Sequence, residues 1–216
     1  MHPADCPPQW EYTEHPHRVA VPIRCEAILN RLEKNELPIE PSLRDSRPLH
    51  KEIFENLTPQ TCPYFAGNYR GERFKCLRHL EVKVLADARV GVKPALVAAR
   101  LANLLSNILS SGLKALDDAF KIPDEKLSPA QKTNYVVKFS CRLLNEFLQI
   151  HPYANGNGHI GRLLVWLVLA KFGYWPKEWP LDSRPPYAAL LSRYRDGHEQ
   201  ALEDFVLKAI DGTIAN

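Results

Sequence analysis

"HPYANGNGHIGR", residues 151–162, puts two histidines, three glycines, two asparagines and an arginine into twelve positions between two long apolar segments. A chain occupied with building helices stops here for a loop that is polar and rich in glycine. Gly156-Asn157-Gly158 falls where the second apolar segment begins as a helix. The N–H groups of a first helical turn have no partners inside the helix, and the helix dipole adds partial positive charge to them. Glycines keep side chains from holding a ligand off those amides, so the arrangement suits an anion, best of all a phosphate. Arg162 lies one turn further in and can reach back with a bidentate fork. His151 opens the loop, near enough to work as a base on whatever is bound. Each feature has a plainer reading: G-N-G is usually a turn, His-Pro a helix stop, and an arginine in the first turns of a helix a surface charge. Turn chemistry alone does not require all of them in one register.

Both flanks of the loop read as helices. Ser128-Pro129 supplies an N-cap serine and a first-turn proline, and apolar residues from Tyr135 to Leu148 at helical spacing carry a helix to about Ile150. Over residues 158–172, "LLVWLVLA" is apolar on nearly every side, which predicts a central, buried helix ended by Gly173 and Pro176. Residues 93–118 repeat Leu, Val and Ile at helical intervals, and shorter helices are expected over 23–34, 49–57, 186–195 and 199–210. Pro38, Pro41 and Pro48 predict an extended connection. Residues 1–22, rich in proline and histidine and without a period, read as a loosely ordered arm. Gly67, Asn68 and Gly71 are turn residues, and near-alternate apolar positions over 74–84 predict a small hairpin. The expected fold class is therefore all-α, a helical bundle with one small β-hairpin.

Length and composition bound the function. The 216 residues suggest one domain with a short extension, long enough for a core without disulfide or metal staples. Hydrophobic residues at 45% and charged residues at 25% are the balance of an ordinary soluble protein. The net charge of +3 is mild and spread along the chain, which makes nucleic acid an unlikely partner. The basic stretch "ERFKCLRHLEVK" is the one nucleic-acid candidate, and a solvated strand face is its commoner meaning. Cys6, Cys25, Cys62, Cys76 and Cys141 are odd in number, widely separated and without a C-x-x-C pair. Neither a zinc knuckle nor a redox dithiol is indicated, and a reducing, cytoplasmic setting is the expectation. The N-terminus lacks the layout of a secretory signal, and the longest uninterrupted apolar run, residues 163–170, is far too short for a membrane span.

"HPYANGNGHIGR" resembles the signature of the Fic (filamentation) family, H-x-F-x-[DE]-G-N-G-R-x-x-R, placed between two helices as in that family. "FAGNYRG" upstream also resembles the A-G-x-x-R segment that precedes the family's target-docking hairpin. The resemblance covers roughly residues 49–210 and implies a Fic-type helical bundle with a β-hairpin flap. On that reading, residues 1–48 form an N-terminal arm and short helix, 49–210 the catalytic domain and 211–216 a tail. It implies an enzyme that moves the AMP part of ATP, with Mg²⁺, onto a Ser, Thr or Tyr hydroxyl of a target protein. His151 would be the general base. Gly156, Asn157 and Gly158 would cradle the α- and β-phosphates, and Arg162 would hold the β- or γ-phosphate. Tyr153 would stand for the family's loop-anchoring phenylalanine. The hairpin over 70–84, with Arg70 and Leu77, would hold an extended segment of the target by main-chain hydrogen bonds.

Two positions depart from the signature. The family's acidic Mg²⁺ ligand is Asn155 here, whose amide oxygen can ligate a hard cation but brings no charge. The first signature arginine is His159, which supplies positive charge only when protonated. Another nucleotide or transferred group, and a catalytically weak module that binds nucleotide or a partner protein, therefore stay open. The lysine of the family's phosphotransferases is absent. So is the inhibitory [ST]-x-x-x-E-[GN] helix: Glu55-Asn56 is the only candidate pair, and position 51 is lysine. Restraint would then come from a separate inhibitory partner protein, from oligomerisation, or from the arm folding over the pocket, with Glu33 and Glu36 the nearest candidates. Metal binding by His151 and His159 is a minor option, because a separation of eight does not match a helical zinc pair.

Overall fold

The computed structural model describes residues 6–82, 84, 87–183 and 186–212, and among these nine α-helices carry the chain. They are α1 (Ala20–Glu33), α2 (Ile39–Arg44), α3 (Arg47–Phe54), α4 (Pro94–Asn103), α5 (Ser111–Lys121), α6 (Pro129–Ile150), α7 (Asn157–Lys171), α8 (Ala188–Arg195) and α9 (Gln200–Asp211). Because α7 is apolar on almost every side, it can be stable only in the middle. Ile160, Val165, Leu167 and Val168 are fully buried, and α6, α2 and α1 pack around it. The α6 helix lies alongside α7 and is covered in turn by α5, α8 and α9. A capping box starts α6: Ser128 Oγ accepts from the Gln131 N–H, and the Ser128 N–H donates to Gln131 Oε1. The α6–α7 pair therefore presents the 151–162 loop at one end of the bundle's best-packed layer.

The 93–118 helix is seen as α4 and α5 joined by a π-helical segment, Leu104–Ser110, in which the Ser110 hydroxyl donates to the Leu105 carbonyl. By length and composition this Pro94–Lys121 run, mean hydropathy 1.3 over its most apolar window, is able to cross a membrane. Here its stripe of Val97, Leu101, Leu104, Ile108 and Leu113 is buried in the core.

Four expectations are corrected. The connection over 38–48 is not extended throughout, since α2 forms with Pro41 in its first turn, where a missing N–H costs no hydrogen bond. The arm is not loose over residues 6–22. Trp10 is 5% exposed, its indole N–H donates to the Leu57 carbonyl, and Cys6 forms a disulfide with Cys76. That bond also overturns the expectation of reduced thiols; sequence spacing carried no sign of it, because 70 residues separate the pair. Finally, no strand is seen among the described residues, so the β-hairpin is absent there; Lys83 lies outside them. In its place Leu77–His79 form a 3₁₀ turn, with Leu77 and Leu80 buried three residues apart. The near-alternate pattern was in part a spacing of three, which suits such a turn.

Candidate active site

The α6 helix ends at Ile150 and passes the chain to His151, whose backbone takes the left-handed conformation at φ 52° and ψ 61°. Non-glycine residues hold that shape only where their surroundings impose it. Arg70 is the main constraint. Its guanidinium donates to the carbonyls of Ile150 at 3.1 Å, His151 at 2.8 Å and Leu80 at 3.2 Å. Its own N–H donates to the Pro152 carbonyl at 2.8 Å. At the helix end the Ile150 and His151 carbonyls thus accept from one buried cation, Ile150 also from the Val92 N–H at 3.3 Å. Burial lowers its pKa to about 10, so it stays charged at neutral pH. Arg70 is 1% exposed and Leu77 fully buried, so both side chains belong to the interior.

The next residues are held as firmly. Tyr153 is fully buried, shares a 2.7 Å hydrogen bond with Ser46 Oγ and stacks on His50 at 3.8 Å between ring centroids. Nδ1 of His50 accepts from the Gly67 N–H, so its proton sits on Nε2 and is donated to the Asn155 carbonyl at 2.9 Å. Burial brings the His50 pKa down to about 3, and the ring is neutral. Asn157 staples the loop to itself: Oδ1 accepts from the Tyr153 N–H, and Nδ2 donates to the Tyr153 carbonyl. Its side chain is spent on structure, which leaves only its backbone for a ligand.

With the side chains turned to these tasks, the start of α7 is bare. Gly156 sits at φ 75°, and a Cβ there would lie 2.2 Å from Phe54 Cε2, so the close turn requires glycine. Among the described residues, the N–H groups of Asn157, Gly158 and His159 have no acceptor. Behind them Arg162, 2% exposed, donates to the Leu181 carbonyl at 2.9 and 3.3 Å and to the Tyr187 hydroxyl at 3.3 Å. These acceptors are all neutral. Among the described residues no carboxylate forms an ion pair with Arg162, and a buried guanidinium so placed is a costly arrangement that an anionic ligand relieves. A Cβ at position 158 would press on Arg162 Nη1 at 3.2 Å. His151 completes the set. Its Nδ1 lies 2.7 Å from the Leu148 carbonyl, which only accepts, so the proton is on Nδ1 and Nε2 carries the lone pair of a base. His151, the three amides and Arg162 line one cleft of about 440 Å³. Its far wall is apolar, with Val82, Leu148 and Leu191 beside an Asp87–Arg195 ion pair of 2.9 Å.

The comparison with family models decides what this arrangement belongs to. A model described as the Fic/DOC family matches residues 40–169, more than half of the chain and the whole of the loop. The chain belongs to the Fic/DOC family.

Against the Fic signature, the two departures find physical settings. His159 is 6% exposed, and burial together with the Arg162 charge lowers its pKa to about 3. It is neutral and adds no charge to the cleft. Its Nε2 lies 3.3 Å from both the Asp182 carbonyl and the Tyr12 hydroxyl. Asn155 uses Oδ1 to accept from the Gly156 N–H, and its Nδ2 donates to the Trp10 carbonyl and to Glu11 Oε2. Both departures therefore meet the N-terminal arm, and Glu11 and Tyr12 form the cleft's rim. Glu33 and Glu36 are exposed and line no part of it. Glu11, Tyr12, His50 and Tyr187 were not singled out from sequence. Two aromatics, Trp10 and Tyr12, inside an otherwise polar arm were the available signal. Among the described residues no group of three His, Cys, Asp or Glu side chains is placed to hold a metal.

Proposed function

We propose that this Fic-domain protein is a nucleotidyltransferase that moves the AMP part of ATP onto a Ser, Thr or Tyr hydroxyl of a target protein. One observation carries the reading: a histidine with its lone pair on Nε2 shares a cleft with three first-turn amides that have no acceptor among the described residues and a buried arginine whose hydrogen-bond acceptors there are neutral. In the proposed reaction Nε2 of His151 takes the hydroxyl proton as the oxygen bonds to the α-phosphorus. The bond from that phosphorus to the bridging oxygen breaks, and pyrophosphate leaves with the electron pair. The amides of Asn157, Gly158 and His159 and the Arg162 guanidinium stabilise charge on the phosphates as it shifts.

Magnesium fits this site only in the manner usual for nucleotides, held mainly by phosphates with one or two carboxylates. Glu11 and Asp182 are charged oxygen donors that line the cleft, whereas Asn155 already gives its oxygen to the Gly156 N–H. Bound there, the ion would neutralise phosphate charge. A second reading, a nucleotide-binding module without turnover, is favoured by the neutral state of His159 where the signature has arginine.

Incubation with ATP and Mg²⁺ followed by intact-mass spectrometry separates the two. The transferase reading expects a gain of one AMP moiety on the protein itself or on an added target, lost in His151→Ala. Tight ATP binding with no mass gain on any protein would leave the module.

A further inference from the structure

Three sulfurs meet beneath the arm. Cys6 is bonded to Cys76, and the Cys62 thiol donates to Cys76 Sγ at 3.5 Å. Stacking of Tyr64 on Phe74 at 4.8 Å joins the two segments that carry Cys62 and Cys76. The Tyr64 hydroxyl accepts from the Cys76 N–H and donates to Cys62 Sγ at 3.6 Å. Thr61 Oγ1 lies a further 3.7 Å from the same sulfur. The attacking group in disulfide exchange is a thiolate that reaches one sulfur of the bond, and Cys62 Sγ already lies in contact with Cys76 Sγ. All three cysteines are buried, Cys6 at 6%, Cys62 at 0% and Cys76 at 3% exposed. An internal thiol in contact therefore has an advantage over any thiol arriving from solution.

We propose that Cys6, Cys62 and Cys76 form a thiol–disulfide exchange site in which Cys62 displaces Cys6 and thereby releases the covalent tie of the N-terminal arm that rims the cleft. The Cys62 thiolate attacks Cys76 Sγ, a Cys62–Cys76 bond forms, and the Cys6–Cys76 bond breaks. Cys6 leaves as a thiolate and takes up a proton equivalent to the one Cys62 gave up. One disulfide is exchanged for another, so no oxidant or reductant is consumed. The arm then loses its covalent tie and is held by Trp10 in the core and by the contacts of Asn155 and His159 with Trp10, Glu11 and Tyr12. Those contacts form the rim of the cleft, so the exchange reaches the active site through the arm alone. The proposal does not require the transferase reading.

Non-reducing peptide mapping of the full chain, during alkylation with iodoacetamide at pH 7 and pH 9, tests it. Wild type is expected to accumulate Cys62–Cys76 peptides with alkylated Cys6, faster at pH 9. Cys62→Ser and, as a second variant, Cys62→Ala are expected to keep Cys6–Cys76 and leave Cys6 unlabelled. Amide hydrogen exchange supplies an independent readout: Cys6→Ser should speed exchange over residues 10–14, and Cys62→Ser should not. Alkylation of Cys62 with Cys6–Cys76 intact, or equal protection of residues 10–14 in the two serine variants, would overturn the proposal.

Discussion

On its inner side the 151–162 loop hangs from Ser46, His50 and Arg70, which belong to the bundle and are at most 5% exposed. On its outer side it meets Trp10, Glu11 and Tyr12, from a segment more than 140 residues earlier in the chain. The inner contacts fix backbone shape: they end α6, impose the left-handed turn at His151 and leave the α7 amides without acceptors. The outer contacts fall on Asn155 and His159, the two positions that depart from the Fic signature. One loop thus has a mount on one face and a cover on the other. Chemistry should depend on the pocket-facing groups, stability on the mount, and access on the cover.

The largest effect should fall on His151, which faces the pocket. His151→Ala is expected to slow transfer about 10²- to 10⁴-fold, the usual cost of losing a general base, while nucleotide affinity stays close to wild type. Kinetics paired with binding measurements check this, and a matching loss of affinity would move His151 to the mount. Arg70→Ala attacks the mount directly. The Leu80 and His151 carbonyls lose the guanidinium, while Ile150 keeps the Val92 N–H, and at about 1–3 kcal/mol for an unsatisfied group the fold should lose about 3 kcal/mol in a denaturant titration. A loss below about 1 kcal/mol would mean that water replaces the guanidinium.

Acid should loosen both faces. His50 and His159 are neutral when folded, with pKa values near 3, whereas the unfolded chain protonates them below about pH 6.5. Between those limits the unfolded state binds more protons. Stability present above pH 6.5 is therefore lost as pH falls, by up to about 1.4 kcal/mol per pH unit for each histidine. Thermal melts from pH 7 to pH 5 should show a falling Tm, with a shallower slope in His159→Gln. A flat profile would mean that these rings are charged in the folded protein. Tyr153→Phe should do least. It restores the signature residue, keeps the stack on His50 and removes the hydroxyl's hydrogen bonding with Ser46 and Tyr69, for a loss of about 1 kcal/mol and no change in transfer. A substantial fall in transfer would show that the hydroxyl sets the loop's shape.

How far the sequence could be read follows the same division. The α6–α7 frame was legible because Ser128-Pro129 marks a start, and "LLVWLVLA" can only be central. The pocket was legible because G-N-G at a helix start and an arginine one turn on have local meaning. What escaped was long-range. Arg70 was placed in the expected hairpin, because nothing near it in sequence shows that its partners are carbonyls about 80 residues away. The arm looked loose because its order comes from Trp10 entering a cavity built by α3 and from a disulfide closed across 70 residues. The charge of His159 depends on burial and on Arg162, neither of which periodicity reveals.

The measurement that bears most directly on the central claim is a crystal structure of the protein with a non-hydrolysable ATP analogue. The account expects phosphate oxygens on the amides of Asn157, Gly158 and His159, with the Arg162 guanidinium on a terminal phosphate. The α-phosphate should lie toward Nε2 of His151. Phosphates bound elsewhere, or an Arg162 that keeps Leu181 and Tyr187 as its only partners with nucleotide in the cleft, would contradict it.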